Sequence, residues 1–170
     1  MDVPKTRTDE LHWVFAYGSN MATDDLGHWM ALTGNPASGL VRIEPATLPE
    51  HRLVWNYRSK SRNGGAANVE PCAGRDLPGV ALLVNAAVLN AIDRKEGHPR
   101  FYSRGSSPLR VRLLRSDEVG AWVYVAVPGR CSPTPVLPRR AYVQLLIAGA
   151  RQHGLPASHV AELEATPTAD

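Results

Sequence analysis

The sequence predicts an α+β protein in which a small mixed, mainly antiparallel β-barrel or curled sheet carries flanking helices. Three observations lead to this fold class. Short apolar or alternating segments, which are typical of strands, occur along most of the 170-residue chain. Their connections are short enough for hairpins, and no strand–helix–strand unit recurs as a doubly wound parallel sheet requires. Only a few segments have helical periodicity. We therefore expect six or seven strands and a small number of helices.

The first half of the chain is predicted to consist mainly of strands. A buried strand at 13–16 leads into a turn at 17–20 and then into a short helix, Thr23–Leu32. Thr23 is a suitable N-cap residue, and Asp24 and Asp25 complement the helix dipole in the first turn. Further strands, separated by turns that contain Pro or Gly, are predicted at 40–43, 52–57, 66–69 and 79–84.

The second half supplies a hairpin and the longer helices. Asn85 is predicted to cap a helix over Ala86–Glu96 that Gly97 ends. Alternating apolar residues make Leu109–Leu113 a strand with one buried face. The later elements are a turn at 117–120, a hairpin strand at 121–127, a Pro-rich loop at 133–138, and helices at 139–153 and 157–165. One domain is expected over 1–170, with its core at about 13–165 and loose ends at 1–11 and 166–170.

Composition restricts the function classes. No apolar stretch approaches the roughly 18 residues of a membrane span, and the polar first ten residues lack the apolar core of a signal peptide. We therefore expect a soluble, cytoplasmic protein without a membrane partner. The net charge is +3, and the densest basic cluster contains Arg58, Lys60 and Arg62. This cluster could contact phosphates or an acidic substrate, but no nucleic-acid motif accompanies it, so nucleic-acid binding is not expected.

Metal chemistry is also not expected from the sequence. Two cysteines, Cys72 and Cys131, are too few for a disulfide framework or a four-thiolate zinc site. The six histidines have no HxH or HxxxH spacing, and none has a cysteine next to it. A metal site would require an unusual long-range assembly. The sequence leaves the oligomeric state open.

The turn at 17–20, formed by Tyr17, Gly18, Ser19 and Asn20, is a candidate anion-binding site. A strand that runs into a turn and then a helix leaves backbone N–H groups free, and the helix dipole favours negative charge there. Gly18 has no side chain to keep a ligand away from the backbone. An ordinary strand-to-helix turn has the same features, and Ser19 lacks the GxSxG context of a hydrolase nucleophile.

Glu96 is a candidate general acid/base. It shares a helix face with Leu89 and Ile92, so the sequence directs its carboxyl toward the core. Desolvation and the negative end of the helix dipole both disfavour the charged form and raise its pKa. A carboxyl group tuned in this way suits proton transfer. The alternative is a surface glutamate on a frayed last turn. Asp93 lies partly on the same face or faces solvent.

Two tyrosines complete the set of candidate site residues. Tyr142 shares a face with Leu145, Leu146 and Gly149 of the predicted helix, so its ring should be buried and its hydroxyl should need a partner. Tyr102 follows the end of the Glu96 helix. Core packing alone would also explain both residues.

Together, these motifs resemble those of the γ-glutamylcyclotransferase-like (AIG2-like) family. Residues 15–21, Phe-Ala-Tyr-Gly-Ser-Asn-Met, resemble its YGSN signature, and Asp93 to Gly97 followed by Tyr102 resembles its DxxEG…Y element. Residues 64–79 are similar to the family's strand–turn–strand before the catalytic helix. Its P…Y…GA…GLP…L ending has counterparts in Pro135, Tyr142, Gly149, Ala150, 154–156 and Leu163. The resemblance covers about residues 13–164.

The resemblance implies a small mixed barrel with flanking helices and a cofactor-independent reaction on a small γ-glutamyl amide. In that reaction the substrate's α-amine attacks its own γ-carbonyl, which releases 5-oxoproline and a free amine. By the same resemblance, Glu96 is the catalytic acid/base. Tyr17, Gly18, Ser19 and Asn20 would hold the α-carboxylate or the oxyanion, and Tyr102 and Tyr142 would line the pocket or orient Glu96. Two alternatives remain: a non-catalytic member of this fold that binds a small metabolite or a protein, or an amide hydrolase.

Overall fold

The computed structural model describes residues 10–115 and 117–170, which form seven strands and four α-helices. The strands are β1 (Leu11–Ala16), β2 (Leu40–Ser59), β3 (Gly64–Asn85), β4 (Tyr102–Ser103), β5 (Leu109–Leu113), β6 (Glu118–Trp122) and β7 (Val125–Ala126). The helices are α1 (Thr23–Leu32), α2 (Ala86–Glu96), α3 (Arg140–Gln152) and α4 (Ala157–Glu164). Short 3₁₀ turns occur at Ser19–Met21, Ala37–Gly39 and Pro128–Arg130.

Five of the strands form a closed barrel in the order β1-β3-β2-β5-β6. Strands β1 and β6 are parallel where they close the barrel, and the other neighbours are antiparallel. Strands β4 and β7 pair separately as a two-stranded sheet. The predicted α+β class with a mixed, mainly antiparallel barrel is therefore confirmed.

The four short strands predicted between 40 and 84 are in fact two long strands that form one hairpin. Strand β2 pairs with β3 from Leu40↔Val84 to Ser59↔Gly64. We expected the prolines in this region to mark turns. Instead, both strands stay extended through these prolines, and the pairing shifts register at interruptions of the ladder, such as the one between Pro49 and His51.

The segment predicted as one strand at 121–127 is divided between two sheets. The turn expected at 117–120 comes earlier, because Glu118 already begins β6. Strand β6 ends at Trp122, and the chain then leaves the barrel to form β7 against β4, a strand that the sequence pattern did not predict. A two-residue strand such as β4 is too short to show a periodicity.

Thr23 does not cap α1. The N-cap position belongs to Ala22, without a side-chain cap, because the 3₁₀ turn Ser19–Met21 runs directly into the helix. Thr23 is the first helical residue, and its hydroxyl lies 3.3 Å from Nε2 of His153 instead. By contrast, Asn85 caps α2 as predicted, since its side chain accepts a hydrogen bond from the Val88 N–H.

The ends of the described chain are more ordered than expected. Leu11, expected in a loose leader, begins β1 and pairs with Asn85, whereas 1–9 lie outside the described residues. In the C-terminal tail, the Ala169 N–H donates to the Pro138 carbonyl at 2.8 Å. Helices α3 and α4 both start and end within one residue of their predicted limits. No helix in the described ranges is long and apolar enough to cross a membrane.

Helix α3 supports the turn that follows β1. A Cβ on Gly149 would lie only 2.9 Å from Cβ of Met21, so only glycine allows this close approach. At the end of α3, Nε2 of His153 lies 3.0 Å from the Met21 carbonyl. The buried side chains of Met21 and Leu146 belong to the same apolar core, and this packing fixes the turn relative to the barrel.

Candidate active site

A cavity of about 950 Å³ opens between the turn after β1, the end of α2 and the tip of the β2–β3 hairpin. All seven residues singled out in the sequence line it: Tyr17, Gly18, Ser19, Asn20, Glu96, Tyr102 and Tyr142. They come from four separate parts of the chain, and the barrel brings them together. The residues singled out in the sequence therefore share one cavity.

Glu96 occupies the last position of α2, and the left-handed conformation of Gly97 (φ 67°) ends the helix directly after it. Its carboxyl lies against the cavity, where Oε1 accepts a hydrogen bond from Nδ2 of Asn20 at 2.9 Å. Burial raises the pKa of Glu96, and the positive charge of Lys95 and the Asn20 hydrogen bond offset part of that effect. Glu96 is thus a cavity carboxyl with a raised pKa, and not a solvated glutamate on a frayed turn.

A chain of hydrogen bonds fixes the orientation of the Asn20 amide. Nζ of Lys95 donates to Oδ1 of Asn20 at 2.6 Å and to Oδ2 of Asp25 at 2.8 Å. An ammonium group can only donate, so Oδ1 must face Lys95 and Nδ2 must face Glu96. The carboxylate of Asp25 on α1 therefore holds Lys95, which in turn orients the partner of Glu96.

Sequence reasoning did not find Lys95, and it gave Asp25 only a role at the helix dipole. The two residues are 70 positions apart in the chain. Lys95 is also about 100° away from Glu96 around the helix axis, so periodicity places the two on different faces. Only the docking of α1 beside α2 brings Asp25 to Lys95, and no sequence pattern predicts that contact.

The two predicted tyrosines hold the same residue of β3. The Tyr102 hydroxyl donates to the Ala67 carbonyl at 2.7 Å, and the Ala67 N–H donates to the Tyr142 hydroxyl at 3.1 Å. Burial raises the pKa of Tyr102, and it raises the pKa of Tyr142 to about 12, so both rings are neutral walls of the cavity at neutral pH. In the structure Asn20, and neither tyrosine, makes the hydrogen bond to Glu96.

The turn after β1 presents free backbone donors. Within the described residues, the N–H groups of Gly18, Ser19 and Asn20 have no hydrogen-bond acceptor, whereas the Met21 N–H donates to the Gly18 carbonyl. The hydroxyl of Tyr17 donates to the Tyr124 carbonyl at 2.5 Å and fixes the start of the turn. Three consecutive free N–H groups at a cavity wall can donate hydrogen bonds to a carboxylate or an oxyanion.

Gly18 does not adopt a conformation that requires glycine, because its φ is −116°. A Cβ there would lie 3.4 Å from the Tyr142 hydroxyl oxygen, which is an ordinary contact distance. Any requirement for glycine at this position therefore concerns the space that a ligand needs and does not concern backbone strain.

Asp93 faces inward and fastens the end of α2. Its carboxylate accepts hydrogen bonds from the Tyr124 hydroxyl at 2.6 Å and from Nε of Arg104 at 2.8 Å. The guanidinium of Arg104 also lies over the ring of Trp122, 4.3 Å from its centroid. These contacts join α2 to the strands beside it and keep Glu96 at its place in the cavity.

The basic cluster at the β2–β3 hairpin reaches the mouth of the cavity. Arg58, Lys60 and Arg62 all contribute to its lining. The Arg62 guanidinium lies 5.3 Å from the centroid of the Tyr142 ring and 3.6 Å from Oδ2 of Asp25. Among the described residues no group of His, Cys, Asp and Glu could hold a metal ion, and Cys72 and Cys131 are both free thiols.

Comparisons with known proteins agree with this description. The family model described as "Gamma-glutamyl cyclotransferase, AIG2-like" matches residues 14–143. The human gamma-glutamylcyclotransferase is 24% identical over 161 residues, which cover 92% of this chain and 79% of that protein. The bovine gamma-glutamylcyclotransferase is 22% identical over 163 residues, covering 94% and 80%. A solved structure named gamma-glutamyl cyclotransferase has the same fold, with a TM-score of 0.75 at 22% identity over 95% of this chain and 90% of that one. The chain therefore belongs to the gamma-glutamyl cyclotransferase, AIG2-like family.

Proposed function

We propose that the protein is a cofactor-independent cyclotransferase that cleaves a γ-glutamyl amide and releases 5-oxoproline and a free amine. One observation carries the proposal: the carboxyl of Glu96, with its raised pKa, shares a cavity with three free backbone N–H groups. The family membership of the chain supports the same reaction class.

The reaction needs little from the protein because the substrate contains its own nucleophile. The α-nitrogen of the γ-glutamyl group attacks the γ-carbonyl carbon, and a five-membered ring closes. Holding these two atoms in near-attack geometry supplies much of the rate. The protein must then remove a proton from the α-ammonium, stabilise the oxyanion and protonate the leaving nitrogen.

Glu96 performs both proton transfers. Its carboxylate takes a proton from the α-ammonium, and the freed amine forms the new C–N bond. When the tetrahedral intermediate collapses, the bond to the leaving nitrogen breaks and the Glu96 carboxyl returns the proton to that nitrogen. The ring nitrogen still carries one proton more than the lactam needs, and the released amine takes up this proton and leaves as an ammonium. A carboxyl with a raised pKa suits both steps, because its two protonation states are closer in free energy at neutral pH.

The turn after β1 binds the negative charge of the substrate. Its free N–H groups at Gly18, Ser19 and Asn20 donate hydrogen bonds to the α-carboxylate or to the developing oxyanion. Tyr142 accepts a hydrogen bond from the Ala67 N–H, so its own hydroxyl hydrogen remains for donation into the cavity. In this arrangement Ser19 contributes its backbone and is not a nucleophile.

Asn20 and Lys95 act as positioning residues. The amide of Asn20 holds one oxygen of Glu96, which leaves the other oxygen for the substrate. Lys95 keeps the amide in this orientation and is itself held by Asp25. These linked hydrogen bonds fix the direction in which the carboxyl of Glu96 points.

Product analysis tests the proposal. The purified protein is incubated with a panel of γ-glutamyl amino acids, γ-glutamyl amines and glutathione, and 5-oxoproline, glutamate and the free amine are quantified. We expect 5-oxoproline and free amine in equal amounts with at least one substrate. Free glutamate in place of 5-oxoproline would identify an amide hydrolase. Binding without any turnover would identify a non-catalytic member of the family.

A further inference from the structure

The cavity that holds Glu96 is lined by more positive charge than the proposed reaction uses. Six cationic residues contribute to its wall, whereas Glu96 is the only carboxylate among its described lining residues. The six are Arg58, Lys60, Arg62, Arg94, Lys95 and Arg130. Such an excess creates a positive potential inside a concave site, where field lines are focused.

Two of these cations are compensated within the protein. Lys95 and Arg62 both face Asp25, at 2.8 Å and 3.6 Å. For the other four, Arg58, Lys60, Arg94 and Arg130, the described ranges place no carboxylate within 4 Å of the charged group. We call these four residues the cationic rim.

Arg130 is the best-fixed member of the cationic rim. Its guanidinium lies over the ring of Phe101, 4.4 Å from the centroid, and its Nε donates to the Arg100 carbonyl at 2.6 Å. Both partners are neutral, so they orient the guanidinium and leave its charge uncompensated. Arg58 and Lys60 lie on the hairpin at the cavity mouth, at exposed positions.

The glutamyl part of the substrate does not account for the cationic rim. That part carries one α-carboxylate and one α-ammonium, and its net charge is zero. In the proposed mechanism the carboxylate lies against the turn after β1, beside Glu96. The amine part of the amide is then the portion of the substrate left to meet the rim.

Resting on the proposed function, we propose that the cationic rim selects γ-glutamyl amides whose amine part is anionic, and that an acidic amino acid is the preferred leaving group. Two carboxylates on the amine part match two or more rim cations. A neutral amino acid offers one carboxylate. A simple amine offers none, and a polybasic amine, whose further amino groups are positively charged, meets repulsion at the mouth of the cavity.

Three substrates of graded charge test the proposal: γ-glutamyl-glutamate, its near-isosteric analogue γ-glutamyl-glutamine, whose side chain is neutral, and γ-glutamyl-propylamine. We expect kcat/KM to decrease in this order. The preference for γ-glutamyl-glutamate over γ-glutamyl-glutamine should weaken as the salt concentration rises, because the rim is exposed to solvent.

Substitutions in the cationic rim test whether these residues cause the preference for γ-glutamyl-glutamate. The double variant Arg58→Gln/Lys60→Gln should lower the kcat/KM ratio of the glutamate to the glutamine substrate by about 2- to 10-fold, as expected for two exposed ion pairs. The matched control Arg110→Gln/Arg112→Gln removes two charges from exposed positions on β5 outside the cavity lining, and the ratio should stay the same. Equal ratios in the wild type and in Arg58→Gln/Lys60→Gln would overturn the proposal.

A binding measurement separates this inference from the proposed function. Calorimetry with Glu96→Gln, which should bind substrates with little turnover, gives the Kd of each substrate directly. Tighter binding of γ-glutamyl-glutamate than of γ-glutamyl-glutamine supports the cationic rim even if no 5-oxoproline forms, in which case only the proposed reaction fails. Formation of 5-oxoproline with no preference in Kd or kcat/KM would support the proposed reaction and refute the proposed selectivity of the cationic rim.

Discussion

Replacing Asn20 with Asp is the sharpest perturbation of the candidate site. The side chain keeps its shape, but the N–H₂ group that donates to Oε1 of Glu96 at 2.9 Å becomes a carboxylate oxygen. The contact with Nζ of Lys95 at 2.6 Å can persist, since Asp still accepts from an ammonium. The substitution therefore removes the donor to Glu96 and sets a second carboxylate against it.

The hydrogen bond that is lost determines the size of the expected effect. A hydrogen bond to a charged group contributes about 1.5–3 kcal/mol, which corresponds to roughly 10- to 150-fold in a rate or an equilibrium. Repulsion between two adjacent carboxylates adds to this loss, and the neighbouring Lys95 reduces it. We expect kcat/KM at neutral pH to fall by about 10- to 100-fold in Asn20→Asp.

The pH profile separates this electrostatic effect from simple damage. In the wild type, burial and Asp25 raise the pKa of Glu96, while Lys95, Arg62 and the Asn20 hydrogen bond lower it. Asn20→Asp changes one of the lowering contributions into a raising one, so the Glu96 pKa should rise further. Because the first step needs the carboxylate, the acid limb of kcat/KM should move to higher pH, and activity should recover in part there.

Asn90→Asp is the matched control, because it makes the same change at an exposed position of α2. Its profile should equal that of the wild type. Asn20 would not have the proposed positioning role if Asn20→Asp lost activity equally at every pH, or if the acid limb of its profile stayed in place.

Two further predictions concern stability and the turn. The pKa of Glu96 is raised in the folded state, so its contribution to stability is complete below the unfolded pKa and is lost as pH rises through the folded pKa. Glu96→Gln has no such loss, so its Tm relative to the wild type should rise between about pH 4 and neutrality; a constant difference across this range would contradict the burial argument. Gly18→Ala should leave Tm nearly unchanged, because the φ of this residue is negative and alanine can adopt it. It should lower kcat/KM strongly, because the added Cβ projects toward Tyr142 at the cavity. Ser19→Ala should have a milder effect, since the proposed mechanism uses only the backbone N–H of this residue. An inactive Ser19→Ala together with a normal Gly18→Ala would favour a serine-dependent hydrolase.

The sequence predicted the fold class because its signals are local. Apolar alternation in Leu109–Leu113 and the Asn85 cap and Gly97 end of α2 each depend on a few neighbouring residues, and the structure reproduces them. The long β2–β3 hairpin was missed for the opposite reason. Its prolines have the local signature of turns, and only pairing with a distant strand keeps the chain extended through them.

In the candidate site, too, local features were predicted from the sequence and contacts between distant segments were not. The motif around Tyr17 to Asn20 and the position of Glu96 on an apolar face were readable in the sequence, and the structure brings them to one cavity. The contact from Lys95 to Asp25 was not readable, because it depends on how α1 lies beside α2. The basic residues of the β2–β3 tip were visible as a cluster, but their place at the cavity mouth follows only from the hairpin geometry.

The central claim is that Glu96 transfers the protons of an intramolecular cyclisation. Its most direct test is the rate of 5-oxoproline formation by the wild type and by Glu96→Gln, with a substrate identified by product analysis and with circular dichroism showing that both are folded. The amide keeps the shape of the side chain and can still accept from Asn20, but it cannot carry a proton. We predict a rate about 10²- to 10⁴-fold lower in the variant. A folded Glu96→Gln that forms 5-oxoproline at the wild-type rate would contradict the account.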